Sequence, residues 1–70
     1  MRFTIEFDKE TDGQIIAEIR ELPGCMVYGA TRAEADASVR ALALRILADQ
    51  VEHGECDVRD MSTLRFERAA

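Results

Sequence analysis

The sequence contains few of the residues that cross-link small proteins, such as cysteine, and few that act as metal ligands or catalytic bases, such as histidine. Two cysteines, one histidine, one proline and no tryptophan occur among its 70 residues. So few cysteines cannot build the disulfide framework of a small secreted domain, and we treat Cys25 and Cys56 as free thiols. Apolar runs are short, as in Ala41–Leu44, and no apolar leader precedes the first alternating segment, so neither a membrane span nor a signal peptide is expected. With 47% hydrophobic residues, the sequence predicts a folded cytoplasmic domain.

Positive charge is also scarce. Nine basic side chains face fourteen acidic ones, which gives a formal net charge of −5. The field of such a chain repels phosphate, and its arginines and single lysine are scattered rather than gathered into a stripe with aromatics. The charge therefore predicts no direct binding of nucleic acid and favours a positively charged partner.

Strict alternation of apolar and polar residues opens the chain. From residue 2 to residue 9, Phe3, Ile5 and Phe7 lie on one side of an extended segment, which is the pattern of a half-buried strand. Asp12-Gly13 favours a chain reversal, so a second strand is expected over residues 14 to 20.

A proline-glycine turn predicts the third strand. In Leu22-Pro23-Gly24-Cys25, proline fixes φ at the second position and glycine accepts a positive φ at the third, as a type II turn requires. We therefore expect a strand over residues 25 to 29, which completes a three-stranded antiparallel meander.

Thr31 and Glu34 have the spacing of a capping box, which predicts a helix that begins at Thr31. Gly54 is suited to stop it, so the helix should run to His53. Asp36 and Arg40 should form an ion pair across one turn of the helix surface. Four apolar residues fall on one stripe that should face the sheet: Ala35, Val39, Leu42 and Ile46.

The remaining residues predict a loop and one more strand. Residues 55 to 61 have no clear period, whereas Leu64 and Phe66 alternate with polar neighbours over residues 63 to 67. A right-handed crossover through the helix would place this strand beside the first one, in parallel. The sequence thus predicts one α+β domain over residues 1–70, a two-layer sandwich of order β-β-β-α-β with one long helix on one face.

One helix can cover only one face of such a sheet, so the other face should stay exposed or bind a partner. Ile16 points to that face, beside either Met26 and Tyr28 or Val27, depending on the strand register. The further apolar residues have two interpretations. Either a long helix simply buries a wide face of the domain, or these residues form an oligomer interface. Because small domains gain stability by association, we favour a homodimer. An edge strand with unpaired backbone groups could form its interface as well as the apolar residues could. The candidate interface residues are Ile16, Leu44, Leu47 and Val51.

The sequence offers little chemistry. His53 and Cys56 have an H-x-x-C spacing, but only Cys25 or an acid could complete a zinc site, so no metal and no other cofactor is expected. Nucleophilic catalysis would need a base oriented beside a cysteine, and no such triad can be assembled. Glu6, Asp8 and Glu18 on the uncovered sheet face could hold a divalent metal as in two-metal nucleases, although a solvated strand face is the favoured interpretation. We therefore do not expect an enzyme.

Several turn and cap residues recur in one known pattern. The segment Leu22-Pro23-Gly24-Cys25, followed by Gly29, Thr31, Glu34 and Ala35, resembles the sequence core of the HicB-like antitoxin family. The opening hairpin is similar too. The resemblance implies a partial ribonuclease H-like fold without its nuclease acids. It also implies a toxin-antitoxin system in which the acidic antitoxin binds a small basic HicA-like ribonuclease toxin.

In such a complex the toxin would contact residues that share the uncovered face. The residues expected at this contact are Glu6, Asp8, Glu18, Met26 and Tyr28. Family members that bind their own operator carry a DNA-binding module after this domain, and none follows in this sequence, so direct DNA binding is not expected. Two alternatives stay open. One is an orphan domain of the same fold that only self-associates, and the other is a residual metal-dependent RNA-binding or nuclease domain that uses the three acids.

Overall fold

A computed structural model of the chain describes residues 1–69, in which four strands and two helices occur. Their order is β1 (Arg2–Lys9), β2 (Ile15–Ile19), β3 (Met26–Gly29), α1 (Arg32–Glu52), a 3-10 helix (Val58–Thr63) and β4 (Arg65–Arg68). The strands form one sheet in the order β3-β2-β1-β4, and α1 packs on one of its faces. The predicted α+β class and β-β-β-α-β layout are confirmed.

The strand pairing fixes which side chains share a face. β1 and β2 are antiparallel, and so are β2 and β3, where Ile16 lies opposite Tyr28. Residues directly opposite each other point to the same side of a sheet, so Tyr28 rather than Val27 lies beside Ile16. β4 runs parallel to β1, as predicted, and the ring centroids of Phe3 and Phe66 are 5.9 Å apart.

Helix α1 begins where the cap predicts. The Thr31 hydroxyl accepts a hydrogen bond from the Glu34 N–H at 3.1 Å, while the Glu34 carboxylate accepts one from the N–H of Ala30. The helix ends at Glu52, with His53 as its C-cap. Within residues 1–69, none of the helices combines the length and the apolar character that crossing a bilayer requires.

The row of α1 that faces the sheet differs from the predicted one. Ala35, Val39, Ala43 and Leu47 are buried, whereas Leu42 and Ile46 are only half-buried. A helix has adjacent apolar rows, and the contact with the sheet decides between them. That contact is set by Gly29 in β3, because a Cβ on this residue would lie 2.7 Å from the backbone nitrogen of Ala35. The absent side chain lets helix and strand meet backbone to backbone.

Asp36 is nearly buried, with 6% of its surface exposed, although the sequence placed it in a surface ion pair. Its carboxylate accepts hydrogen bonds from the guanidinium of Arg40 at 2.7 Å and from that of Arg68 at 2.6 Å. Burial by itself raises the pKa of Asp36, but the hydrogen bonds and charges of the two arginines lower that pKa, and the net shift is downward. Because Arg68 belongs to β4, this contact holds β4 against α1.

The 3-10 helix lies where a loop was predicted, so that expectation is wrong. The Asp57 carboxylate caps it by accepting a hydrogen bond from the backbone N–H of Arg59, and it also binds the Arg59 guanidinium. Met61 and Leu64 pack against the core one turn apart. Two turns with one such pair are too short for a periodicity argument.

Candidate functional site

The face of the sheet that points away from α1, the open face, carries side chains that are exposed or half-buried. All five residues predicted to contact a partner lie on it, and so does Ile16. The strand register brings them together on three neighbouring strands. On β1, β2 and β3 the open face comprises Thr4, Glu6, Asp8, Ile16, Glu18, Met26 and Tyr28, and it continues towards β4 through the ion-paired side chains of Arg2, Arg65 and Glu67.

Acidic groups on the open face are close to one arginine. Glu6 of β1 lies directly opposite Glu18 of β2, so two like charges meet across the strands. The Arg20 Nε is 2.9 Å from the Glu6 Oε2 and 3.7 Å from the Glu18 Oε1, which offsets their repulsion. A divalent metal bound by these acids would have to displace this guanidinium, which is 73% exposed.

Apolar side chains flank these acids. Met26 and Tyr28 are 47% and 52% exposed, which is high for large hydrophobic residues, and Ile16 is half-buried beside them. A shallow groove of about 480 Å³ is lined by side chains of this face and by Phe7, Arg20, Arg32 and Ala69. A surface that places acids beside exposed apolar residues on its β3 side can bind a basic polypeptide and bury apolar area with it.

Strand β3 forms one edge of the sheet. Its inner edge pairs with β2 through Val27 and Gly29. The backbone groups of Met26 and Tyr28 alternate with these, and no strand of the described residues pairs with them. The Met26 N–H donates a hydrogen bond to the Gly24 C=O at 3.1 Å, so the Met26 C=O and the N–H and C=O of Tyr28 are the groups that remain for strand addition. This edge could accept a strand from another chain, in continuity with the open face.

The solvent-facing side of α1 carries a second apolar row, which we call the outer row. It consists of exposed Leu44 at 49%, half-buried Val51, and the exposed alanines 37, 41 and 48. Leu47 does not belong to it, since this side chain is 1% exposed and lies in the core, so its assignment to an oligomer interface is corrected. Leu44 and Val51 remain available on this surface, while Ile16 lies on the opposite side of the domain.

A separate group of polar side chains lies at the C-terminal end of α1. One ligand atom from each of Asp49, His53 and Glu55 lies within 4.8 Å of the other two. Cys56, which the H-x-x-C spacing paired with His53, is not part of this group and packs against the core. Sequence spacing did not find Glu55, because its position depends on the turn at Gly54.

The segment that carries the family resemblance has a structural role. Leu22 and Cys25 are buried, and between them Gly24 has a φ of +80° in the turn closed by the hydrogen bond from the Cys25 N–H to the Leu22 C=O. Cys25 is 2% exposed and belongs to the core, where burial raises the pKa of its thiol. Both cysteines are free, as expected.

A scan against protein-family models and searches of curated proteins and of solved structures found no match to this chain.

Proposed function

We propose that this chain is a protein-binding domain of the HicB-like antitoxin type, whose open face holds a small basic HicA-like ribonuclease toxin. The observation that supports this most is the placement of acidic and exposed apolar side chains side by side on the open face. The resemblance of the turn and cap residues to that family suggests the kind of partner.

Charge and exposure argue for the same kind of ligand. Glu6, Glu18 and Asp8 together with a net charge of −5 attract a basic surface and raise its rate of association. Met26 and Tyr28 supply the apolar contact that interface centres need, and such residues are commonly those whose truncation weakens a complex most. A phosphate backbone would be repelled by the same acids.

The experiment is co-expression with a HicA-like toxin encoded beside this chain, scored by growth rescue and by co-purification. Tyr28→Ala and Met26→Ala should each weaken the complex about tenfold or more, because hot-spot truncations cost about 1.4 kcal/mol or more. Replacing Glu6 and Glu18 together by glutamine should weaken the complex and reduce its dependence on salt.

Matched controls are available on other surfaces. Leu44→Ala removes an equally exposed apolar side chain from the outer row, and Glu52→Gln with Asp60→Asn removes two exposed acids outside the open face. These variants should bind the toxin as the parent chain does. Failure of the parent chain to bind or neutralise the toxin would refute the proposal, as would equal weakening by the control variants.

A second candidate function, self-association, is supported by the outer row of α1. Leu44 and Val51 with the neighbouring alanines form an apolar row on which a second helix could pack closely. In the dimer we propose, two copies meet through these rows and leave both open faces accessible. This arrangement is compatible with toxin binding, and without a toxin it describes an orphan self-associating domain.

A further inference from the structure

Three side chains capable of binding a metal converge where α1 ends. Asp49 and His53 are one helical turn apart, and the His53 Nδ1 lies 3.3 Å from the Asp49 Oδ1. The chain then reverses at Gly54, which has a φ of +69°, and the Glu55 N–H bonds to the Gln50 C=O at 2.8 Å. That bond holds the Glu55 backbone beside the last turn, so its carboxylate joins the other two groups.

We infer that Asp49, His53 and Glu55 form a binding site for a divalent transition-metal ion, Zn²⁺ being the ion whose chemistry fits best. One imidazole nitrogen with two carboxylate oxygens is a donor set that Zn²⁺ accepts, with water in the fourth position. Ca²⁺ and Mg²⁺ prefer sites made only of oxygen atoms, so the histidine favours the transition metal.

The geometry needs only small side-chain movements. Ligand atoms bound to one tetrahedral Zn²⁺ are about 3.4 Å apart, given bonds of about 2.0–2.2 Å. In this structure the corresponding atoms are already within 4.8 Å of one another. The His53 Nδ1 donates a hydrogen bond to the Asp49 carbonyl oxygen at 2.8 Å, so the metal would bind Nε2, or would bind Nδ1 in place of this hydrogen bond and its proton.

Electrostatics favour a cation at this position. The last carbonyl groups of α1 form the negative end of the helix dipole, and two carboxylates add to it. His53 and Asp49 are 63% and 67% exposed in their side chains, so an ion can reach them without opening the fold. The same exposure keeps the site in contact with water, so we expect weaker binding than that of a buried structural zinc. A bound ion would clamp the end of α1 to the segment that leads into the 3-10 helix.

The test is titration of the full chain with ZnCl₂, followed by calorimetry and by backbone amide NMR. Asp49→Asn, His53→Gln and Glu55→Gln should each weaken binding about tenfold or more, and the amide shifts should centre on residues 49 to 56. The matched control is Glu52→Gln, which removes the same charge from the same helix end and should leave the affinity within about twofold.

Three results would overturn the inference. The first is no saturable binding below 1 mM Zn²⁺. The second is equal weakening by Glu52→Gln and Glu55→Gln, which would indicate general attraction to an acidic helix end. The third is loss of binding in Cys56→Ser with Glu55→Gln unaffected, which would assign the ion to a thiolate. None of these results bears on toxin binding, because the open face is built from other residues.

Discussion

Asp36 connects two segments that are 32 positions apart in the chain. Two guanidinium groups, from Arg40 on the same helix and Arg68 on β4, compensate the burial of one carboxylate. Breaking a buried pair on one side leaves a charge without a partner, which costs more than the pair itself contributes. We therefore expect Asp36 to matter to stability more than any solvated acid of the helix.

Asp36→Asn should lower the free energy of unfolding at pH 7 by about 2 kcal/mol, because both arginines lose a charged acceptor. A pKa lowered in the folded state means that the unfolded state takes up this proton first. The contribution is therefore complete above the unfolded-state pKa of about 3.9 and disappears as the pH falls through the lower folded-state pKa. Urea unfolding at pH 7 and at about pH 2.5 should show a difference between the two proteins that shrinks in acid.

The two arginines of β4 provide the control for that measurement. The two side chains are almost equally exposed, at 61% for Arg68 and 63% for Arg65. Arg68→Gln should destabilise the fold because it removes a partner of the buried Asp36 carboxylate, whereas Arg65→Gln removes only a surface pair with Glu67 and should change the stability little. Equal effects of these two substitutions, or a difference for Asp36→Asn that does not depend on pH, would contradict the role given to the Asp36 contact.

At the scale of elements, the meeting of α1 with β3 sets the position of the helix. Gly29 and Ala35 are small enough for the two backbones to touch, and this contact turns the row of Val39, Ala43 and Leu47 towards the sheet. The rest of the core then fills the space between helix and strands.

Gly29→Ala should lower the free energy of unfolding by about 2 kcal/mol, because the new methyl group overlaps the backbone nitrogen of Ala35 and the helix must shift. Thermal or urea unfolding measures this directly. Since the nearest atoms belong to the backbone, adding Ala35→Gly should not restore the lost stability. Full rescue in the double variant, compared with Ala35→Gly alone, would show that the side chain of Ala35 causes the overlap instead.

Most of the strands, turns and helix caps could be predicted from the sequence. Strands, turns and caps depend on neighbouring residues, so alternation around Ile5, the Pro23-Gly24 turn and the Thr31 cap were sufficient to predict them. The facing row of α1 depends on how the helix meets the sheet at Gly29, which the periodicity of the helix does not contain. The 3-10 helix depends on one local cap, Asp57, in a segment too short to show a period.

At the scale of the whole molecule, one helix on one side of the sheet leaves the open face and the outer row of α1 on opposite surfaces. The sequence placed Glu6, Asp8 and Glu18 on the open face by alternation alone. It left Met26 and Tyr28 undecided because their face depends on strand register, and it did not anticipate that Arg20 bridges two of the acids. The candidate site was thus predicted in outline, while its charge balance required the structure.

The two surfaces predict independent effects on assembly. If two copies associate through the outer row, Leu44→Glu should shift sedimentation towards the monomer, because it places a charge in an apolar contact. Ile16→Glu puts the same charge on the open face and should leave the oligomer unchanged while weakening toxin binding. A parent chain that stays monomeric at the highest concentration measured, or dissociation by the Ile16 variant alone, would refute association through the outer row.

The parallel pairing of β4 with β1 also has a consequence for synthesis. Ribosomes add about 5 to 20 residues per second, so the partner of β1 emerges several seconds after β1 itself. During that interval the outer backbone groups of Phe3 and Ile5 are open to other nascent chains, and Asp36 still lacks the Arg68 guanidinium. During this interval, pairing of the β1 edge with another chain competes with its pairing to β4. A chaperone or a binding partner would protect the chain most if it covered this edge before β4 is available.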